Sequence, residues 1–223
     1  MYVTPPTPNQ PRPAAGPPWW LVIGPGLAAL IGLFLLTVIY RFDGHSLLQR
    51  ELHLSTQSLL LSGFVGYLVA AVLALPAGLL LGGRFPTSVT VPALGLMLIG
   101  ALLVAFTPNV ALLLIGRVLD GFGTGAAVGA TAALTRRLRS GRGATAGVTA
   151  GLGVLALVIA PFLGALISDS TSFRLMYLIG AVFVFLALIV AAVLGIVAMV
   201  SAKPKVQPMP YGMPYPPQGP PYA

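Results

Sequence analysis

Six long stretches of almost uninterrupted apolar residues divide the chain, near 19–41, 57–83, 89–107, 110–134, 144–168 and 174–200. Each approaches or exceeds the ~20 residues a helix needs to cross a bilayer. The pattern predicts an all-α membrane protein with a six-helix transmembrane domain over residues 19–200. Trp19 and Trp20 open the first stretch, where aromatic side chains anchor at the headgroup level. The flanks, residues 1–18 and 201–223, are Pro-rich tails with too little apolar content to offset chain-ordering entropy. Both are expected to be disordered.

Composition agrees with the pattern. Hydrophobic residues make up 57% of the chain and charged residues only 7%, against roughly a quarter charged in soluble domains, so a water-facing surface could not be covered. The chain has no cysteine, which removes disulfides and thiolate sites from consideration. A net charge of +8 would suit nucleic acid, but the basic residues lie next to apolar spans, as positive-inside topology requires, and no nucleic-acid partner is expected. The first eighteen residues hold seven prolines and one arginine and do not read as a signal peptide. With the N-terminus inside, the inner segments hold Arg12, Arg84, Arg136, Arg137, Arg139, Arg142, Lys203 and Lys205, and the outer ones only Arg41, Arg50 and Arg174. The expected location is therefore the cell inner (plasma) membrane, multi-pass, with both termini cytoplasmic. A shift of about 85 residues lays the first three stretches on the last three and superposes Pro76 on Pro161 and Gly66 on Gly151. An odd number of helices per copy makes this a 3+3 inverted repeat.

The chemistry concentrates in 110–134. Arg117 and Asp120 lie three apart inside an apolar helix and share a face. An arginine at membrane depth costs ~3 kcal/mol or more and needs a partner or a wet cavity. The pair reads as a cavity-lining site for substrate or protons, or else as a packing ion pair that never titrates. Gly121, Gly125, Gly129 and Ala133 recur every four residues in this stretch, and Gly143, Gly147 and Gly151 do so in the next. Such stripes let helices approach closely in lipid, and packing within the chain is the expectation for both. Pro25, Pro76 and Pro161 are expected to kink or interrupt their helices. The outer loop 42–56 carries Asp43, His45, Arg50, Glu51 and His53, but their spacing fits no zinc pattern, and no metal or cofactor is expected. Phosphate-binding, zinc-protease and nucleophile-elbow motifs are missing, so an enzyme is not expected. In the C-terminal tail Tyr and Pro alternate between Pro208 and Tyr222, a pattern that suits either an aromatic-lined groove or a solvated extension.

The segment Gly116-Arg117-Val118-Leu119-Asp120-Gly121-Phe122-Gly123-Thr124-Gly125 resembles the fourth-helix motif of the major facilitator superfamily, usually Arg-x-x-Gln-Gly-x-Gly-x-Gly, with Asp120 where Gln is common. Gly147, Pro161 and Gly164 match part of that family's fifth-helix motif, in which Ala156 and Ala160 stand for two glycines, and Ser172-Phe173-Arg174 is similar to the Ser-Trp-Arg that opens helix six. Between helices two and three the family carries Gly-x-Leu-Ala-Asp-Arg-x-Gly-Arg-Arg. This chain has Gly78 to Thr87 with the Asp gone and Arg84 alone of the basic cluster.

The resemblance is to one six-helix half of the family's usual twelve. It implies a major-facilitator-like half bundle, with Arg117 and Asp120 coupling substrate or proton, Gly121, Gly125, Gly147, Pro161 and Gly164 serving packing and hinges, and Arg84 remaining of the cytoplasmic-loop gate. The implied function is transport of a small solute, proton-coupled, as a homodimer or with a second six-helix subunit, the partners being the lipid bilayer, the solute and protons. The runner-up is a non-transporting accessory membrane protein that binds a partner through its helices or tails, motivated by the altered 78–87 loop.

Overall fold

The computed structural model describes residues 18–38, 47–138, 141–170 and 172–201, and every long element in them is helical. Six helices are long and apolar enough to cross a membrane: Trp19–Thr37, Thr56–Leu81, Pro86–Ala105, Val110–Arg137, Arg142–Leu166 and Phe173–Ser201. They are called the first to sixth spans below. The two Pro-rich tails, apart from Pro18 and Ser201, lie outside the described residues, as do Asp43 and His45 of the outer loop.

Local chemistry explains several ends. Asn109 caps the fourth span, its side-chain oxygen accepting from the Leu112 N–H at 3.0 Å. Ser55 does the same for Ser58 at the start of the second span. Ser172 accepts from the Arg174 N–H at 3.2 Å, which gives the Ser-Phe-Arg sequence a helix-starting role. Pro86 occupies the first turn of the third span, where a missing N–H does no harm. Arg174 also lies 3.8 Å from Glu51 across the loop side, an exposed pair contributing at most about 1 kcal/mol.

The fourth span is the hub. Gly121, Gly125 and Gly129 stand against the main chain of the second span at Tyr67, Ala71 and Leu75, where any added Cβ would overlap a carbonyl oxygen. Gly78 and Gly82 answer from the second span against Ala126 and Ala130. On another face Gly116 and Gly123 meet the third span at Gly100 and Ala93. Small residues every four positions bring helix backbones together where lipid supplies no hydrophobic drive between them. The main packing partners of the fourth span are the second and third. The first packs on the fourth, fifth and sixth, most extensively on the fourth, and the third meets the sixth. Exchanging each span with the one three later reproduces this set of partners, so the packing is compatible with a 3+3 repeat.

Two expectations need correction. Pro76 and Pro161 sit inside continuous helices and interrupt neither, and Pro25 lies in the first α-helical turn of the first span, directly after its 3-10 turn Trp19–Val22. The irregularity falls elsewhere: Leu60–Val65 of the second span is π-helical, in a segment without proline. Among the described residues the stripe Gly143, Gly147 and Gly151 packs against nothing, since a Cβ at each would meet no atom within 4 Å. Gly147 is thus not an internal packing position, whereas Gly164 is, lying against the Val38 carbonyl. The fifth span leans on the first with its other face and leaves this one open.

The two stripes should therefore respond differently to bulk. Gly125→Leu must displace backbone, not a side-chain tip, and should destabilise the protein by about 3 kcal/mol or more. Gly147→Leu should stay within about 0.5 kcal/mol of the wild type. Equilibrium unfolding in mixed micelles measures both.

Candidate functional site

Arg117 and Asp120 lie on the fourth span near its loop-facing third, and both are 0% exposed. The shared face predicted from their spacing is present: Arg117 Nη1 lies 3.9 Å from Asp120 Oδ2. A cavity-lining position is not. The pair is enclosed by neighbouring spans.

The guanidinium is held mainly by main-chain carbonyls. Arg117 Nε donates to the Gly63 carbonyl at 2.8 Å, Nη1 to Leu35 at 2.8 Å and Nη2 to Leu36 at 2.9 Å, while Nη1 also reaches the Tyr177 hydroxyl at 3.3 Å. The Tyr67 ring covers one face, 4.7 Å from the guanidinium carbon. Sequence and local structure supply these acceptors. The helix of the first span ends at Thr37, so Leu35 and Leu36 present carbonyls from its last turn, where the helix dipole is negative. Gly63 lies in the π-helical turn of the second span, and π turns leave main-chain groups open to side chains. One side chain thus joins the first, second, fourth and sixth spans.

Asp120 has no comparable support. Neither carboxylate oxygen accepts a hydrogen bond among the described residues. Its Oδ1 faces Gly100 of the third span, where even a Cβ would press on it. One turn further along, Thr124 donates its hydroxyl to the Asp120 main-chain oxygen at 2.8 Å and meets the Tyr67 hydroxyl at 2.5 Å, and Tyr67 donates to the Gly32 carbonyl at 2.6 Å. This layer of hydroxyls ties the first, second and fourth spans together just beyond the ion pair.

A cleft of about 510 Å³ opens past that layer, between the first, fourth and fifth spans. It runs toward the end of the bundle that carries Arg84, Arg136, Arg137 and Arg142, and its inner wall starts at Leu33 and Val128. Eight residues separate Asp120 from Val128, about 12 Å along a helix. Arg84 itself lies on the exposed turn between the second and third spans, 5.3 Å from the Phe85 ring centre. The contact that fastens this turn comes from another residue: Arg137, in the last turn of the fourth span, donates to the Gly83 carbonyl at 2.7 Å. Among the described residues no cluster of His, Asp or Glu could hold a metal ion.

The sequence analysis missed Tyr67, Tyr177, Thr124 and Arg137. The first three are polar tips on otherwise apolar stretches, and such tips at membrane depth are a usable signal. The carbonyls at Leu35, Leu36 and Gly63 leave no trace in residue identity.

The family model of the Major Facilitator Superfamily matches residues 27–210, from within the first span through the end of the sixth. The chain belongs to the Major Facilitator Superfamily. A comparison with curated proteins found no match. The superfamily consists of membrane transporters of small solutes and not of enzymes, and its six-helix unit accounts for the span number and helical packing found here. Within this superfamily member the fourth-helix arginine is at once a fully buried charge and the junction of four spans.

Removing the Arg117 side chain should therefore act on stability first. Arg117→Ala strands three carbonyls and an unpaired carboxylate and should cost about 3–5 kcal/mol. Tyr177→Phe removes one long hydrogen bond and should cost about 1 kcal/mol. Unfolding in mixed micelles orders the two, and an Arg117→Ala protein as stable as Tyr177→Phe would contradict the cage.

Proposed function

We propose that the chain moves a small solute in exchange for, or together with, protons, and that Asp120 is the group that carries the proton. Arg117 uses four donor contacts on carbonyls and one hydroxyl, so its placement does not require the carboxylate. Asp120 in turn accepts nothing, although burying a polar group without hydrogen bonds is expensive. A group that adds so little to the packing is better explained by chemistry. A proton on Asp120 removes the buried charge, and Arg117 at 3.9 Å steadies the charge when the proton leaves, so the site can hold either state.

The basic end of the bundle faces the cytoplasm in this reading, with both termini there, in the cell inner membrane. Six spans form half of a central cavity. A second copy, or a separate six-helix half, completes it by closing over the cleft beside the uncovered Gly143, Gly147 and Gly151 face of the fifth span. Access from the cleft to Asp120 runs through the Tyr67–Thr124–Gly32 layer, which must part during the cycle.

Asp120→Asn tests the coupling, because amide and carboxylate are the same size. In proteoliposomes with an imposed pH gradient and an internal pH dye, a panel of solutes should include one that collapses the gradient with wild-type protein. With Asp120→Asn that rate should fall at least tenfold while stability shifts by no more than about 1 kcal/mol. Undiminished collapse in a folded Asp120→Asn protein would exclude Asp120 as the carrier. Native mass spectrometry from nanodiscs should find two six-helix bodies per particle, and a stable single body would remove the completed cavity.

A further inference from the structure

The cleft at the basic end has a composition that selects its occupant. Its walls are apolar along most of their length, with Leu30 and Leu33 from the first span, Val128 from the fourth, and Val154 and Leu157 from the fifth. Three threonines line it as well, but their hydroxyl hydrogens are already committed. Thr131 donates to the Ala127 carbonyl, Thr135 to Thr131 and Thr149 to Thr145, each at 2.8 Å. Main-chain N–H groups along the walls are used within their own helices, except in the first turn of the fifth span at Arg142. The donors left for a ligand are therefore the side chains of Arg136 and Arg142 and that first turn, all at one end of the cleft. Both arginines are exposed, and among the described residues the ion pairs are Arg117–Asp120 and Arg174–Glu51, so neither arginine is paired there with a carboxylate.

A sugar, an amino acid or a nucleoside needs donors and acceptors distributed around it and would leave its polar groups unmatched against these walls. A molecule with an acidic group at one end and an apolar body behind it matches every feature. The acid meets two guanidiniums, which suit planar oxyanions, and the body lies along the fifth span. From Arg142 to Leu157 that span offers about 22 Å of wall. A volume of about 510 Å³ lies in the range that holds one drug-sized ligand, which favours a single chain over a two-chain phospholipid.

We propose that this cleft is a binding site for a single-chain amphiphilic acid, an acyl or aryl carboxylate, with its acid group on Arg136 and Arg142. The inference deepens the transport reading and rests on it for the expectation that the bound acid is the solute moved.

Palmitate is the probe, with 1-hexadecanol as its neutral counterpart. The full chain is placed in phosphatidylcholine nanodiscs, and binding of radiolabelled palmitate is corrected against empty discs. One saturable site per chain is expected, with hexadecanol competing at least tenfold more weakly. Arg136→Gln/Arg142→Gln should weaken palmitate at least tenfold and bring acid and alcohol to parity. Ala150→Trp, which fills the cleft from the fifth span, should lose both. If the double variant fails to fold, the two single variants are read separately, each expected to weaken the acid alone. The proposal is overturned by the lack of a saturable site, by equal competition from hexadecanol, by unchanged affinity in folded arginine variants, or by phosphatidylglycerol that occupies the cleft and resists palmitate. Palmitate bound but not moved by proteoliposomes would overturn the transport reading and leave the site. Movement of another solute without palmitate binding would do the reverse.

Discussion

A guanidinium in the interior of a membrane protein has to find oxygen, and the bundle is built around how Arg117 finds it. Arg117 is fully enclosed by protein, and Asp120 is too far for a good hydrogen bond, at 3.9 Å. The solution is to expose main chain. The first span stops at Thr37 so that Leu35 and Leu36 offer carbonyls, and the second span passes through a π-helical turn where Gly63 offers another. Tyr67 and Tyr177 close the shell with a ring face and a hydroxyl. Irregular backbone at membrane depth is tolerated where protein buries it, and here the irregularity and the buried charge compensate each other.

The glycine contacts make that arrangement reachable. Arg117 can touch the second span only because Gly121, Gly125 and Gly129 let the two backbones come together beside it. The same approach brings Tyr67 under the guanidinium and its hydroxyl onto Thr124 and Gly32. Close packing and the polar interior are thus one design. The second and fourth spans form a tight body with the third, while the fifth keeps only a looser hold on the first, and the cleft opens on that looser side.

Hydropathy made the six spans legible because a bilayer imposes length and apolarity on every crossing, and neither depends on tertiary detail. The ion-pair spacing was legible for a similar reason: helical periodicity alone puts Arg117 and Asp120 on one face. The four-residue glycine spacing was readable as close packing, yet its target was not. One stripe meets the second span and the other meets nothing among the described residues, a difference set by which helix happens to lie opposite. The prolines misled because a helix in a bundle can run on through a missing N–H, whereas the π turn arose in Leu60–Val65, at the Ser62-Gly63 pair and not at a proline. The enclosed position of Arg117 also escaped the sequence, since its acceptors are carbonyls that every residue type possesses.

The origin of those acceptors has a consequence for biogenesis. All three carbonyls that Arg117 uses belong to spans that leave the ribosome before it does; only the Tyr177 hydroxyl comes later. When the fourth span is made, the end of the first and the segment of the second that bears Gly63 have already been synthesised. The arginine therefore need not cross lipid unaccompanied, and the order of the chain itself serves as the chaperone for its most awkward side chain.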